Sequence, residues 1–481
     1  MTLTTREQSR EGRVVDGVAG VAHPPSASPL PADAPLARVA RAPRPRPAGR
    51  RRVMLGLTEI AGYYTGLRDA LEELGVQATL VSLFDHPFQY GGSAENGLIR
   101  VKRRAIKRLL AGTDRGPRRL ALRVANKVLD AALLVWALPR FDVFVFGYAT
   151  TFLGRPHVEL PLMRLLGKRV IFVFHGSESR PTYLDGSMMA ADRGMDLAQC
   201  VEFTRVYKAR VAAIDRYADV VVENPLSGHF HERPFVSWFA VGIPGRAAPV
   251  EVEASAESDE SGAERPVRIL HSPSHPEAKG TPRIRAAVER LRARGHRVEL
   301  VEITGRPNAE VMRELARCDL VVDQLYSDTP MAGFAAEAAR FGKPAVVGGY
   351  GAPAMADAIP PSQMPPTAYC HPDDLEATLE RLVADAAYRV DLGRRAREFV
   401  LRRWAPRRVA RRFLRLIDGD VPPGWLFDPA RVSHVHGCAL PEERARELVR
   451  GVVELGGVGA LCLSDKPEME RRVLRMAGLA G

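Results

Sequence analysis

Cysteine is scarce in this chain: five residues in 481 (Cys200, Cys318, Cys370, Cys438 and Cys462), none in a Cys-x-x-Cys pair. That usage implies no disulfide framework and fits a reduced, cytoplasmic compartment. Long hydrophobic runs are missing too. The most apolar one, residues 131–138, ends at Pro139 and Arg140, whereas a spanning helix needs about 20 apolar residues. The first residues are polar, with Arg6, Glu7, Arg10 and Glu11 and no apolar stretch, so no secretory signal is expected. Between residues 271 and 349 there is no P-loop, no G-x-G-x-x-G and no clustered Asp-x-Asp. His434, His436 and Cys438 stand close together, but a zinc site needs about four ligands and no fourth partner is evident; no metal is expected.

What is present suits a two-domain α/β protein. A hydrophobic content of 46% over 481 residues is enough for two cores of ordinary size. Residues 1–51, rich in Pro, Ala and Arg without periodicity, read as a disordered tail. Residues 52–246 read as one Rossmann-like unit, 247–265 as a flexible acidic linker, and 266–402 as a second Rossmann-like unit. Residues 403–418 read as a helix crossing back to the first unit, and 419–481 as a small C-terminal extension with helices at 442–455 and after Pro467 and a strand at 459–463.

The second unit is the most informative. Its order is strand (Val267–His271), a Ser/Pro/Lys/Gly turn, helix (283–294), strand (297–303), helix (Asn308–Arg317), strand (320–323), helix (331–341) and strand (Ala345–Gly348). Alternation of short Val/Ile/Leu runs with helices of about ten residues predicts a parallel sheet covered on both faces, with ligands outside the carboxyl ends of its strands. Lys279 and Glu337 fall at that edge. A lysine and turn amides suit phosphate oxygens, and a carboxylate suits ribose hydroxyls. The helix after Asp328-Thr329-Pro330 contains Gly333, so the amides of Met331, Ala332 and Gly333 are candidate anion donors.

The series His271-Ser-Pro-Ser-His-Pro-Glu-Ala-Lys279-Gly280-Thr281, then Ala316-Arg-Cys-Asp319 to Asp323-Gln324-Leu325, then Gly333-Phe-Ala-Ala-Glu337 to Gly342-Lys-Pro344 resembles the donor half of glycosyltransferase family 4. The resemblance implies a GT-B fold, two Rossmann-like domains facing across a cleft. It also implies that Lys279 and Gly280 meet the donor diphosphate, that Glu337 holds the ribose, and that the turn at Thr329 meets the sugar. The chain departs from the family at two points. Thr329 stands where a first glutamate is common, and Ser274, His275 or Pro276 stands where an arginine is expected.

The N-terminal half repeats the alternation. Arg52–Leu57 is a predicted strand, Thr58 to Tyr64 a glycine-containing turn, 66–74 a helix and 76–83 a strand. Segments 141–146, 160–166, 169–174, 207–216, Val220–Glu223 and 239–241 continue the pattern. Gly62, at the first β-to-α turn, lets backbone approach a phosphate or acceptor closely. Val173-Phe174-His175-Gly176-Ser177-Glu178 resembles a family segment whose histidine contacts the transferred sugar or the acceptor, which implies His175 and Gly176 as site residues.

The function implied is a retaining transfer from a nucleotide-diphosphate sugar to a glycan, lipid-linked or small-molecule acceptor. Lys279 and helix amides would take the leaving-group charge, with no cofactor and no protein nucleophile. A catalytically silent GT-B scaffold and a nucleotide-sugar epimerase are the alternatives. The net charge of +12 gathers between Arg100 and Lys127, where eleven cations meet only Asp114, interleaved with Leu98, Ile99, Val101, Ile106, Leu109 and Leu110. Read as one amphipathic helix, this segment would rest on anionic headgroups at the inner membrane face. Nucleic acid is not expected as a partner, because no aromatic interleaving or binding motif accompanies the charge.

Overall fold

The computed structural model describes residues 15–16, 51–84, 96–111, 116–189, 195–245 and 265–479. The expected linker but for residue 265, and all of the expected tail but residues 15, 16 and 51, lie outside the described residues. Val15–Asp16 (β1) pairs antiparallel with Ala368 and Tyr369 at the edge of the second sheet, so that piece of the expected tail belongs to a sheet.

The first unit runs β2 (Arg52–Leu57), α1 (Tyr63–Glu72), β3 (Gln77–Ser82), α2 (Gly97–Ala111), α3 (Gly116–Ala137), β4 (Val143–Gly147), α4 (Pro156–Leu165), β5 (Arg169–Val173), α5 (Gly186–Met189), α6 (Leu197–Tyr217), β6 (Val220–Glu223), β7 (Phe235–Ser237) and α7 (Trp238–Val241). Its strands are parallel in the order β7-β6-β5-β4-β2-β3. Every residue of β4 and β6 is buried, as expected of interior parallel strands covered on both faces. Strand order reverses between β2 and β4, and the crevice at that switch point is where open α/β sheets take ligands.

The second unit runs β8 (Val267–His271), α8 (Thr281–Ala293), β9 (Val298–Glu302), α9 (Asn308–Arg317), β10 (Leu320–Val322), α10 (Gly333–Arg340), β11 (Ala345–Gly348), α11 (Ala352–Ala358), β12 (Ala368–Cys370), α12 (Leu375–Ala384) and α13 (Ala386–Arg403). Its order is β12-β11-β10-β8-β9, again all parallel, with the switch point between β8 and β10. The α/β, two-unit architecture expected of a GT-B fold is therefore present.

The helix expected at 403–418 is present but starts three residues later, at Pro406. α13 ends at Arg403, Trp404 and Ala405 leave helical geometry, and α14 (Pro406–Asp418) restarts at a proline. Proline supplies no N–H and disfavours helix in the residue before it, so one helix could not pass through. α14 packs on α1, and an apolar core runs from β2 and α1 through Trp404, Val409 and Phe413 to α10 and β11.

In the extension, β13 (Leu426–Phe427) adds antiparallel to β7, α15 (Glu442–Gly456) packs on α6, and α16 (Pro467–Met476) packs on α15. The expected strand at 459–463 is instead a 3-10 turn, Val458–Leu461. Gly457 (φ 67°) and Cys462 (φ 57°) take left-handed backbone at its two ends and prevent an extended run. Likewise 239–241 is the end of α7, and the strand lies just before it at β7.

Candidate active site

The switch point of the second unit holds the expected lysine. After β8 the chain turns through Ser272 to Gly280, and Gly280 caps α8 with φ 76°. A Cβ there would stand 2.6 Å from Leu325 Cβ, so this position requires glycine. Half-buried Lys279 directs its Nζ to Gln324 Oε1 and stands 3.7 Å from Asp323 Oδ1. Its carbonyl accepts from Leu325 N at 3.0 Å, which ties the turn to the end of β10. Ser274 is exposed at the outer rim of the turn.

From Gln324 the contacts lead into the turn before α10. Gln324 Nε2 donates to Ser327 Oγ (2.6 Å), and Ser327 Oγ donates to Thr329 O (2.8 Å). Thr329 is buried, and its hydroxyl lies 3.4 Å from both Met331 O and Met331 N. The Thr329 side chain thus braces the turn. Met331 puts its side chain in the core, and its amide faces Thr329. α10 starts at Gly333 after an extended Ala332, with no side-chain cap hydrogen bond. A helix start of this kind directs N–H groups and the positive end of the dipole outward. Glu337 lies one turn further along, half-buried, and accepts from Asn308 Nδ2 at 3.2 Å.

The first unit meets this edge with its own switch point. Three of the five non-glycine residues with positive φ among the described residues stand there: Ala61 (47°) after β2, and Tyr148 (58°) and Ala149 (46°) after β4. Strained backbone of this kind gathers at functional sites. A Cβ on Gly333 would lie 3.5 Å from Ala61 Cβ, so the start of α10 abuts the Ala61-Gly62 turn. Gly62 caps α1 with φ 79°. The amides behind it are occupied: Glu59 Oε1 accepts from Ile60 N (2.7 Å) and Tyr64 N (3.2 Å), and Oε2 accepts from Thr65 N (2.8 Å) and Thr65 Oγ1 (2.6 Å). The first unit supplies its own anion where a ligand phosphate would otherwise sit.

His175, at the end of β5, faces the same turn. Its Nε2 is 3.1 Å from Tyr64 Oη, and Tyr63 packs edge-on against its ring at 5.4 Å. Burial pushes the ring pKa down to about 3, so the imidazole is neutral. The His175 amide donates to Glu178 Oε1 at 2.9 Å. Burial, reinforced by Glu223, raises the Glu178 carboxyl to about 8. Behind it, His231 sits between Asp215 (2.9 Å) and Glu223 (3.5 Å). Burial opposes the His231 charge, but the two carboxylates push its pKa up to about 9.

Sequence reasoning missed a buried polar contact between the two units. Arg180 Nη1 donates to Asp328 Oδ2 at 2.7 Å, and Ser227 Oγ donates to the same oxygen at 2.6 Å. Arg180 Nε donates to Gly176 O at 3.0 Å, and Asn224 Nδ2 donates to Asp328 O at 3.1 Å. Burial opposes both charges, yet Asp328 and Asp185 keep the guanidinium charged, and Arg180 with Ser227 holds Asp328 below the usual carboxylate range. Gly176 has φ 115°, and a Cβ on it would stand 2.3 Å from Arg180 Nη2. Partners 148 residues apart leave no local pattern that could have revealed this pair.

Polar contacts therefore run from Lys279 through Gln324, Ser327 and the Asp328-Thr329 turn to Arg180 and Gly176, beside His175. Lys279, Gly280, Thr329, Met331, Ala332, Gly333, Gly62, His175 and Gly176 are brought to one inter-unit edge, with Glu337 deeper along α10 and Ser274 outside. The extension closes one side of it. Cys438 O accepts from Gly186 N (2.8 Å), Ala439 N donates to Tyr326 O (2.8 Å), and His434 O accepts from His229 Nε2 (2.8 Å). His434 Nε2 bonds to Gly437 O at 2.9 Å, and His436 packs on Tyr350 at 4.6 Å. These contacts hold residues 434–439 in place.

No protein-family model and no curated protein sequence matches the chain. Solved structures overlay partially. HepE of Anabaena in complex with UDP aligns over 76% of this chain and 99% of its own at 13% identity and a TM-score of 0.45. The catalytic domain of starch synthase IV from Arabidopsis thaliana, bound to ADP and acarbose, aligns over 78% and 100% at 13% identity and a TM-score of 0.42. The glycosyltransferase SnogD from Streptomyces nogalater aligns over 76% and 100% at 14% identity and a TM-score of 0.37.

Proposed function

We propose that this chain is a glycosyltransferase that binds a nucleotide-diphosphate sugar on its second unit and transfers the sugar to a glycan, lipid-linked or small-molecule acceptor held by the first. The observation that carries this reading is the pairing of Lys279 with the uncapped start of α10 at one switch point, directly opposite the strained turn beside His175. A lysine and a helix start together suit a diphosphate, and they stabilise the same group as it departs. In this reading the Gly280 turn approaches the diphosphate and Glu337 takes the ribose hydroxyls.

Glu178, beside His175, is buried and raised to about 8 by that burial and by Glu223, so it is held protonated at neutral pH and is not offered as a nucleophile. The His175 ring is neutral, so its part is to hydrogen-bond a sugar or acceptor hydroxyl, not to supply a charge. The reaction then rests on the departing phosphate rather than on a protein nucleophile, which favours a retaining outcome. Lys279 offsets developing charge on the diphosphate, and substrate must displace Gln324 and Asp323 from it. No resident cofactor is required by this scheme.

One observation favours a second reading, a scaffold that binds nucleotide without turnover. Asp328, in the turn expected to meet the sugar, is already spent on Arg180 and Ser227, and Thr329 on its own backbone. Incubation with UDP-, GDP-, ADP- and TDP-sugars separates the readings. Transfer or hydrolysis that disappears with Lys279→Ala supports the transferase. Binding without turnover supports the scaffold, and interconversion at the sugar C2 supports an epimerase. If no nucleoside diphosphate binds at all, the donor-site assignment is wrong.

A further inference from the structure

The basic segment between Arg100 and Lys127 is two helices, not one, and part of its expected apolar face is turned inward, while Val101 stays 48% exposed. Ile99 is fully buried, and Leu98 and Ile106 pack against the core of the first unit. Lys102 is buried too, ion-paired with Asp130 at 2.5 Å and bonded to Asn126 Oδ1 at 2.6 Å. α2 is therefore anchored to α3 and to the sheet by the residues that sequence reading assigned to a membrane.

α3 carries a different apolar face. Leu120 (64% exposed), Val124 (56%), Val128 (63%) and Val135 (69%) lie at solvent. Steps of four and seven keep them on one side of the helix, and exposed Ala131 fills the gap between the last two. Arg118, Arg119, Arg123 and Lys127 are exposed beside this stripe. Together α2 and α3 contain ten basic residues and a single acid, Asp130, which is buried against Lys102 and lies 3.6 Å from Lys127. Among the described residues of α2 and α3 no acid is exposed.

We propose that α3 docks on a lipid surface bearing anionic headgroups, with Leu120, Val124, Val128 and Val135 entering the acyl boundary and Arg118, Arg119 and Arg123 pairing with phosphates. Charge decides the occupant. A second copy of this chain would set cation against cation at the same face, whereas anionic headgroups match both the stripe and its flank. The inference does not rest on the donor chemistry, since it uses no residue of the cleft.

The test is co-sedimentation with vesicles of phosphatidylcholine alone and of phosphatidylcholine mixed with phosphatidylglycerol. The full chain is expected to sediment with the mixed vesicles and to be released by salt, because headgroup attraction is screened. Val124→Glu with Val128→Glu should lower the partition about tenfold or more. Arg118→Gln with Arg119→Gln and Arg123→Gln should lower it about a hundredfold at low salt. All five positions are exposed, so unchanged melting temperatures will show that the variants fold. The proposal is overturned if the wild type stays in the supernatant with mixed vesicles, or if either variant sediments like the wild type. It is also overturned if the apolar stripe mediates concentration-dependent dimers that Val128→Glu abolishes while no vesicle binding occurs. Vesicle binding needs no nucleotide, so a failed donor assay leaves this result readable.

Discussion

The two switch points share a topology and differ in how they treat negative charge. In the first unit the helix start after β2 is filled by Glu59, which takes the amides of Ile60, Tyr64 and Thr65. In the second unit the helix start after β10 has no side-chain cap, and Lys279 stands at the neighbouring turn. A helix N-terminus is a site for an external anion only when the chain leaves its amides unused. The same α/β unit therefore fills its own helix start on one side and leaves it open on the other, which is what the proposed diphosphate site requires, and one buried carboxylate makes the difference.

The contrast can be broken first at the pair joining the two sides. Arg180→Met leaves Asp328 buried and unpaired and should cost about 3–5 kcal/mol in urea unfolding. Adding Asp328→Asn should recover most of that loss, and a single variant as stable as the wild type would refute the pair as an inter-unit tie. Next, Lys279→Ala should weaken UDP or ADP binding by about ten- to a hundredfold in calorimetry, the worth of a charge-assisted hydrogen bond. Glu59→Gln should leave that affinity unchanged while lowering stability by about 1–3 kcal/mol, through weakened hydrogen bonds to α1. If Glu59→Gln creates a second nucleotide site or abolishes the first, the division of labour is wrong.

A smaller effect is expected from Gly62→Ala. Its left-handed backbone should cost about 1–2 kcal/mol, read as a lowered melting temperature with donor affinity retained. The smallest change should come from Glu178→Gln at acid pH, where the carboxyl is protonated in both states. The folded carboxyl is raised from its ordinary value of 4.5 to about 8, so its contribution is complete below about pH 4.5 and is lost progressively as pH rises to about 8. The variant should therefore lose less stability between about pH 5 and 8 than the wild type. His231, pushed up to about 9, adds a further alkaline decline that this variant keeps. Parallel pH curves would show that Glu178 is already ionised.

Much of the architecture was legible because apolar periodicity survives without its partners. The spans of β2, β6, β8, α9 and β11 follow directly from local runs of Val, Ile and Leu, and Gly280 and Gly62 do take the backbone their turns demand. What was not legible depended on neighbours distant in sequence. The strand expected at 459–463 has the right composition, but left-handed residues at both ends curl it. The basic segment reads as one amphipathic helix until Lys102 is found buried against Asp130. Arg180 gives no local sign of function because its partner lies on the other unit.

By itself, the order of residues determined the alternation of strands and helices, the placement of Lys279 and His175 after strand ends and of Glu337 within α10, and the glycines at tight turns. These follow from short-range sterics and from the burial of apolar faces, which a chain carries locally. Only the tertiary structure decided which charges face one another. It spent Glu59 on α1, joined Arg180 to Asp328, neutralised His175 by burial, and turned the apolar stripe of α3 to solvent. A side chain's ionisation and availability are set by groups that folding brings within a few ångströms, and no local pattern encodes that distance.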